Sequence, residues 1–599
     1  MSKIPSVTIL YGSETGNSQE YSQFLAQRLR YLGLSIALCA LDEFPLQDLV
    51  LQTKYLVIIC STTGQGEIPR NGRKFMKFIL RKALPSDLLD HIKLTTFGLG
   101  DSSYPKFNYA IKKLHTRLMK LGCEELSSRC EADEQSPEGL DNYFSEWEGS
   151  LIKSLQENIP NLAGQIDDTE LLPPAFPVEI VEGKEVTTKG HNRAQEIHLS
   201  RFSPNTGILE GRIESCDRIT AQDHFQDVRH VIISSRELKY TPGDTVALYP
   251  YNDDESVESL IQLQPHWISI ADKPLRIKDK LPFIEGNLIA EDKLTLRSLL
   301  THHLDIMSVP TRSFFFTLWH FVDSSNSDGE REMERLREFS NIEDTDLFDY
   351  ANRPRRLILE TILEFQKNLR IPLEFILDIF PIIKPRFFLI ASRPSAEQVE
   401  LVIGIVEYKT IIRRIRKGLC TKWLKNLKKH DKIIFSLQKS DMDFQVSGAK
   451  LPPILMILPG LGIAPMKSLI EDVVSSQLNR DLYLFCGFRY SDKDFLFSDL
   501  WYELEKSNHL KLFTCFSREN KCKVKYVQDR LFEQRHLVGR LIFDENAFVY
   551  LCGSSGTMPR QVRITLCEIL RQYAHLDQDS SEKYLIKMED ERRYLQETW

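Results

Sequence analysis

The stretch VTILYGSETGNSQE, residues 7–20, runs from a strand-like apolar segment straight into a loop of glycine and small polar residues. A loop set between a strand and a helix start presents backbone N–H groups to an anion. This one contains no lysine or arginine, and the Gly-x4-Gly-Lys spacing of a nucleotide-binding loop is missing. Asn17 and Ser18 stand where the lysine and the magnesium-binding hydroxyl would be, which argues against a triphosphate. What remains is Ser13, Glu14, Thr15, Gly16, Asn17 and Ser18. Their hydroxyl, amide and backbone N–H groups suit one terminal monophosphate, helped by the helix dipole.

Working outward, residues 1–156 alternate strand-like runs (SVTILYG, YLVIICS, LTTFGLG) with helical patterns such as NSQEYSQFLAQRLRYLG. That rhythm predicts a doubly wound parallel sheet, in which ligands bind at the carboxyl ends of the strands. Three polar loops occupy those ends. The second, STTGQGEIPRN, offers Ser61, Thr62, Thr63 and Gly64. The third, GLGDSSYPKFN, offers Leu99, Gly100, Asp101, Ser102, Ser103, Tyr104, Pro105, Lys106, Phe107 and Asn108, with Glu134 downstream. Tyr104 supplies an aromatic able to stack on a flat ring. A monophosphate held by neutral donors is a mark of FMN sites. Taken in order, the three loops resemble the flavodoxin-like FMN domain of the diflavin reductase family, and the resemblance implies that these residues hold FMN.

Composition narrows the class. With 599 residues the chain has room for several domains. A formal net charge of -7 gives no basic field for nucleic acid. The most apolar long run, IPLEFILDIFPIIKPRFFLIAS, contains Glu374, Asp378, Lys384 and Arg386, so it does not read as a membrane span. An apolar run within the first ten residues leaves no pattern of a signal peptide, and no membrane anchor is expected. Eleven cysteines without a CxxC or Cys/His cluster read as reduced thiols, with no metal site and a cytoplasmic location.

Residues 157–195, with the stretch ENIPNLAGQIDDTELLPPAFP, read as a hinge. Residues 196–444 read as a β-barrel, from GRIESCDRIT, VRHVIISS and YTPGDTVALYPYN, interrupted by a helical insertion at about 255–380. His302 and His303 fall in that insertion and read as helix surface. The PGDTVALYPYN piece resembles the FAD barrel of ferredoxin-reductase-type proteins. There the family motif is Arg-x-Tyr-Ser, and this chain has Arg386, Phe387, Phe388 and Leu389. The resemblance implies that Arg386 pairs with the FAD pyrophosphate and that Phe388 packs on the flavin. Leu389 replaces a serine that the family places near flavin N5. Gly418, Leu419, Cys420 and Thr421 form a turn opening a helix, a second anion-binding geometry. Arg355 resembles another FAD contact, and reads equally as part of a solvated basic run.

Residues 445–599 return to α/β rhythm. Gly460, Leu461 and Gly462 let backbone approach a pyrophosphate, and no acid follows to take an NAD ribose. Instead Ser517, Arg518, Lys523 or Lys525, Tyr526 and Gln528 gather after a strand. A hydroxyl and two cations suit a 2′-phosphate and a tyrosine suits adenine, so NADPH is the expected cofactor. In the resembled family a C-terminal aromatic covers the FAD ring, and Trp599 matches it. Cys552 and Glu597 match residues lining the hydride-transfer site.

The resemblance spans the whole chain in the order FMN, FAD, NADPH. It is strongest to the soluble branch, the NADPH-dependent diflavin reductases of cytosolic iron–sulfur protein assembly. It implies electron flow from NADPH through FAD and FMN to a one-electron acceptor, in that branch an anamorsin-type iron–sulfur protein. Glu131, Asp133, Glu134 and Glu138 would offer an acidic face to it. A cytochrome, sulfite reductase or methionine synthase is the alternative acceptor. Leu389 and Leu461, which replaces a family threonine, open another alternative: a flavin-bearing scaffold with weak hydride transfer.

Overall fold

The computed structural model describes residues 6–598, apart from 15, 65, 103, 105, 137–138, 163–165, 167–168, 184–185, 187–189, 202–206, 278–287, 343, 345, 441, 443–450 and 520–523. The long apolar runs near the N-terminus become the inner strands of a parallel sheet, buried on both faces, and shorter, more exposed strands flank them. The strands are β1 (Val7–Gly12), β2 (Ile36–Ala40), β3 (Tyr55–Ser61), β4 (Lys93–Gly100), β5 (Glu124–Glu125) and β6 (Cys130–Asp133). The order is β2-β1-β3-β4-β5, with β6 also on β4, and every pairing is parallel. Strand order reverses between β1 and β3, and the crevice opens at their carboxyl ends. The helices Asn17–Tyr31 and Tyr109–Met119 leave this edge directly after the first and third polar loops.

The strand β7 (Val178–Ile180) lies within the expected hinge. It pairs with β11 (Leu275–Ile277) of the helical insertion. The Asp378 carboxylate accepts the N–H groups of Ala175 (2.8 Å) and Phe176 (3.3 Å). Between these come β8 (Ile208–Arg218), β9 (Val228–Ser234) and β10 (Thr245–Leu248); after them come β12 (Arg386–Leu389), β13 (Gln398–Gly404), β14 (Glu407–Lys409), β15 (Ile415–Lys417) and β16 (Lys432–Gln438). Six of these form an antiparallel sheet, β12-β10-β16-β8-β9-β13. A bridge from Ile390 to Leu401 and the Ala391 N–H donating to Glu400 at 2.7 Å join its two ends into a barrel.

The helical insertion has its own core, which includes Trp267, Phe314, Phe315 and Phe339. His302 and His303 belong inside, which corrects the surface reading. Every residue of the helix Leu296–His302 is buried, because it lies between the barrel and the other helices. Burial, with Arg201 nearby, pushes His302 down to about 3, so the ring is neutral. His303 Nε2 accepts the Ile289 N–H at 3.2 Å. Among the described residues no group of ligand-type side chains could hold a metal ion.

The last sheet is parallel, β19-β18-β17-β20-β21. Its strands are β17 (Ile454–Pro459), β18 (Leu482–Phe488), β19 (Lys511–Phe516), β20 (Phe548–Gly553) and β21 (Tyr594–Thr598). The near-terminal run YLQET is therefore an edge strand and not a frayed tail. Among the described residues no helix is long and apolar enough to cross a membrane.

One helix joins the first domain to the rest. On Arg312–Leu318, Phe314 and Phe315 face the insertion core, while Phe316 enters the first domain's core. Phe316 is 2% exposed and meets Phe24 and Tyr31 edge-on, each at 5.6 Å between ring centroids. Arg312 donates to Asp141 Oδ2 from Nε (3.0 Å) and Nη2 (2.9 Å). Phe316→Ala should remove about 3–5 kcal/mol of packing and undock the first domain. Small-angle scattering should then show a larger radius of gyration. An unchanged profile would mean that the polar contacts hold the domain without it.

Candidate functional site

The first loop is shaped around Gly16, whose φ of 110° is the left-handed region that favours glycine. Its N–H donates to Ser13 Oγ at 2.9 Å, and the Ser13 N–H donates to Asn71 Oδ1 at 2.9 Å. Ser18 is 0% exposed, and its Oγ has no hydrogen-bond partner among the described residues. A buried hydroxyl left without a partner at a helix start fits a ligand oxygen. The donor set thus fits the FMN phosphate. Thr15, Ser103, Pro105, Glu138, Lys523 and Trp599 lie outside the described residues.

The other two loops brace one another. The Thr62 N–H donates to the Leu99 carbonyl at 3.1 Å, Thr62 Oγ1 accepts the Ala110 N–H at 3.3 Å, and Gly64 also has a positive φ, 49°. Ser61 Oγ lies 3.4 Å from the Gly12 carbonyl, and Thr63 bridges to Glu67. The Ser102 N–H donates to Asp133 Oδ1 at 2.9 Å, the Tyr104 N–H to the Asp101 carbonyl at 3.1 Å, and the Glu134 N–H to the Gly100 carbonyl at 2.8 Å. Leu99 and Asn108 sit deeper. Leu99 is core, and Asn108 lies against Gly98 and Gly100 with Nδ2 on the Ala132 carbonyl at 2.9 Å. Asn108 therefore braces β4 from below the loop. Phe107 lies under the Lys112 ammonium, 5.2 Å away, and Lys106 reaches Glu589 of the last domain at 3.7 Å.

These loops face the other domains across a seam. Arg70, at the end of the second loop, pairs with Glu14 at 2.9 Å and donates to Thr245 Oγ1 of the barrel at 3.1 Å. Its guanidinium also lies 4.7 Å from the Phe387 ring centroid. The Tyr104 hydroxyl accepts the Gly556 N–H at 3.0 Å, at the start of the helix Thr557–Ala574. Neither Arg70 nor Gly556 stood out in the sequence. The only trace was the Pro-Arg-Asn closing the second loop.

On the barrel side, β12 alternates. Phe388 packs with the barrel core, whereas Phe387 meets Arg70 and Leu389 packs with the last domain's core. Arg386 donates to the Lys384 carbonyl at 2.8 Å. Its charge is felt at Cys420, so strand and turn share one neighbourhood. Gly418 caps the helix Leu419–Asn426, and Thr421 Oγ1 accepts the Val406 N–H at 3.1 Å. Arg355 has an exposed side chain, and its carbonyl accepts from Arg416 Nε at 2.6 Å, on the strand leading to Gly418.

In the last domain, a Cβ on Gly462 would stand 2.2 Å from the Cys552 carbonyl oxygen, so only glycine lets the turn after β17 lie against β20. Gly460 turns with φ 52°, and Leu461 reaches over Gly404 of the barrel. Register pairs Cys552 with Glu597. Tyr550 donates to Glu597 Oε2 at 3.1 Å, and burial pushes this carboxyl up to about 7 against the pull of Tyr550, Arg70 and Arg73. Burial and Glu597 together raise the Cys552 thiol well above its ordinary value. At the other end of the sheet, the Ser517 N–H donates to the Phe488 carbonyl (2.9 Å) and the Arg518 N–H to the Arg489 carbonyl (3.0 Å). Arg518, Lys525 and Tyr526 are exposed, and Gln528 is half-buried.

Comparisons with known proteins agree with this arrangement. Family models match residues 9–147 as flavodoxin, 218–423 as FAD binding domain and 456–563 as oxidoreductase NAD-binding domain. The chain is 59% identical over 601 residues to the NADPH-dependent diflavin oxidoreductase 1 of Debaryomyces hansenii, covering 100% of both. It is 52% identical to that of Candida albicans over 99% of both chains, and 39% identical to that of Saccharomyces cerevisiae over 100% of both.

Two outcomes follow for the last domain. Glu597 has its proton-binding midpoint raised from 4.5 to about 7. Its contribution to stability is therefore full below about pH 4.5 and is lost as pH rises through about 7. Glu597→Gln should flatten that fall, read as melting temperature against pH; parallel curves would place the carboxyl in water. Arg518→Ala should lose a charge-assisted bond of about 1.5–3 kcal/mol, roughly 10- to 150-fold in NADPH affinity. NADH kinetics should barely change, and equal losses would make Arg518 a structural residue.

Proposed function

The chain belongs to the NADPH-dependent diflavin oxidoreductases, and from that premise we propose which residues carry its electrons and to what acceptor. It is an oxidoreductase with FMN, FAD and NADPH as cofactors. When bound, the nicotinamide would supply a hydride, whose two electrons the flavins would pass on one at a time with release of its proton.

The observation that carries the reading is the seam. Arg70 touches the first loop, β10 and β12 at once, while Tyr104 reaches the nucleotide-binding domain. Ser13, Gly16 and Ser18 would hold the FMN phosphate, and Tyr104 would offer its ring to the flavin. Arg386 and the turn at Gly418–Thr421 hold the FAD pyrophosphate. Gly460 and Gly462 admit the NADPH backbone, Ser517, Arg518 and Lys525 hold its 2′-phosphate, and Tyr526 stacks on adenine. Cys552 and Glu597 line the place where nicotinamide meets FAD, and Leu389 packs against that wall without offering a hydrogen bond. Arg70, with its charge paired by Glu14, bridges the two halves of the molecule between the flavin sites.

The acceptor is an anamorsin-type iron–sulfur protein of cytosolic iron–sulfur assembly, which the family resemblance supports. The acidic face is smaller than the sequence suggests. Glu131 is bound by Lys112 (3.0 Å) and Arg129 (2.9 Å), and Asp133 by two backbone N–H groups, leaving Glu134 exposed. Anaerobic stopped-flow tests the whole route. NADPH should bleach the flavin absorbance, and an oxidised anamorsin-type protein should restore it within the catalytic turnover time. Bleaching with restoration only by a cytochrome would reassign the acceptor. Absence of bleaching would leave a flavin-bearing scaffold.

A further inference from the structure

The first loop has no cation of its own, yet a cation stands over it. Lys384, from the strand-like segment that leads into β12, directs its side chain across the domain boundary at Gly16. Its Nζ lies 1.9 Å from where a Cβ on Gly16 would be, with Cε at 3.2 Å and Cδ at 3.7 Å, so the side chain enters end-on. The ammonium thus occupies the space above the residue whose positive φ shapes the loop. In the same loop Ser13 Oγ accepts the Gly16 N–H, and Ser18 Oγ is buried without a hydrogen-bond partner among the described residues. The charge of Lys384 is also felt at Glu20, one turn along the same helix, and at Asp305 of the insertion.

We infer that Lys384 is a binding residue for the FMN phosphate, supplied in trans from the FAD-binding half of the chain only when the two halves are docked. Neutral donors and the helix dipole hold a phosphate group in either state, whereas a nearby ammonium adds a charge-assisted hydrogen bond. FMN affinity and domain docking are then linked: the docked state binds the phosphate more tightly, and a bound phosphate favours docking by the same factor. Pro385 fixes the backbone between Lys384 and Arg386. One short segment therefore serves both flavin sites, Lys384 for the FMN phosphate and Arg386 for the FAD pyrophosphate.

This rests on the assignment of residues 13–18 to the FMN phosphate, and the test separates the two. The full-length protein is stripped of FMN and titrated with FMN and with riboflavin, which lacks the phosphate, following flavin fluorescence. Wild type should prefer FMN strongly. Lys384→Ala and Lys384→Gln should weaken FMN by about tenfold, leave riboflavin unchanged, and lose the extra salt sensitivity of FMN binding. Lys384→Arg should restore most of the affinity. An unchanged FMN affinity, or equal losses for FMN and riboflavin, would overturn the role of Lys384, the second result assigning it to docking alone. Equal binding of FMN and riboflavin by wild type would instead overturn the loop assignment beneath it.

Discussion

Arg312 and Phe316 stand four residues apart on one helix, so both side chains leave the same face. Both end in the flavodoxin-like domain, one on Asp141 and the other between Phe24 and Tyr31. That attachment sets the angle at which the first domain meets the rest, and at this angle Arg70 reaches Thr245, Tyr104 reaches Gly556 and Lys384 reaches Gly16. Asp141 is itself tied to its own domain by the Tyr21 hydroxyl at 2.5 Å, so the anchor pulls on a rigid element.

The two interdomain junctions differ in kind. Barrel and nucleotide-binding domain share one continuous core, in which Val228, Ala391 and Val402 pack with Ile454, Met456 and Leu458. Across it Lys467 pairs with Glu400 at 3.0 Å, and His230 meets the same carboxylate at 3.0 Å. Burial alone would raise Glu400, but the hydrogen bond to His230 and the Lys467 ammonium hold it down at about 2. Such a junction moves as one body. The seam to the first domain is instead mostly polar, with Phe316 its aromatic peg. Polar interfaces of this type permit relative motion, as a domain that meets both the barrel and an outside acceptor requires.

Local chemistry was legible in the sequence, and juxtaposition was not. The strand, loop and helix that surround Gly16 are encoded within residues 7–31, because turn geometry and apolar periodicity are local properties. The same holds for the glycines after β17 and for the basic cluster after β19. Arg70, Phe316 and Lys384 carry no such signal. Each resembles an ordinary residue of its own element, and its partner lies in another domain. Histidines 302 and 303 misled for a related reason. A helix that alternates polar and apolar residues reads as half exposed, yet here the barrel covers the side that water would have taken. Asn108 shows a finer limit, since the sequence places it in the loop but not beneath it.

The pairing of β21 with β20 carries a consequence for how this end of the molecule can vary. Glu597 is opposite Cys552 only through register, which Tyr594, 2% exposed and paired with Val549, fixes at the far end of the strand. Side chains alternate along a strand, so a one-residue insertion or deletion between Tyr594 and Glu597 would bring Gln596 or Thr598 opposite the thiol. The turn before it, at Glu591–Arg592, joins the helix Gln578–Asp590 to the strand and lies outside the pairing with β20, whereas the Arg593 carbonyl already accepts the Val549 N–H at 2.7 Å. Lengthening should therefore be tolerated before Arg593 and ruinous after Tyr594, whereas substitutions within the strand change chemistry without moving the site.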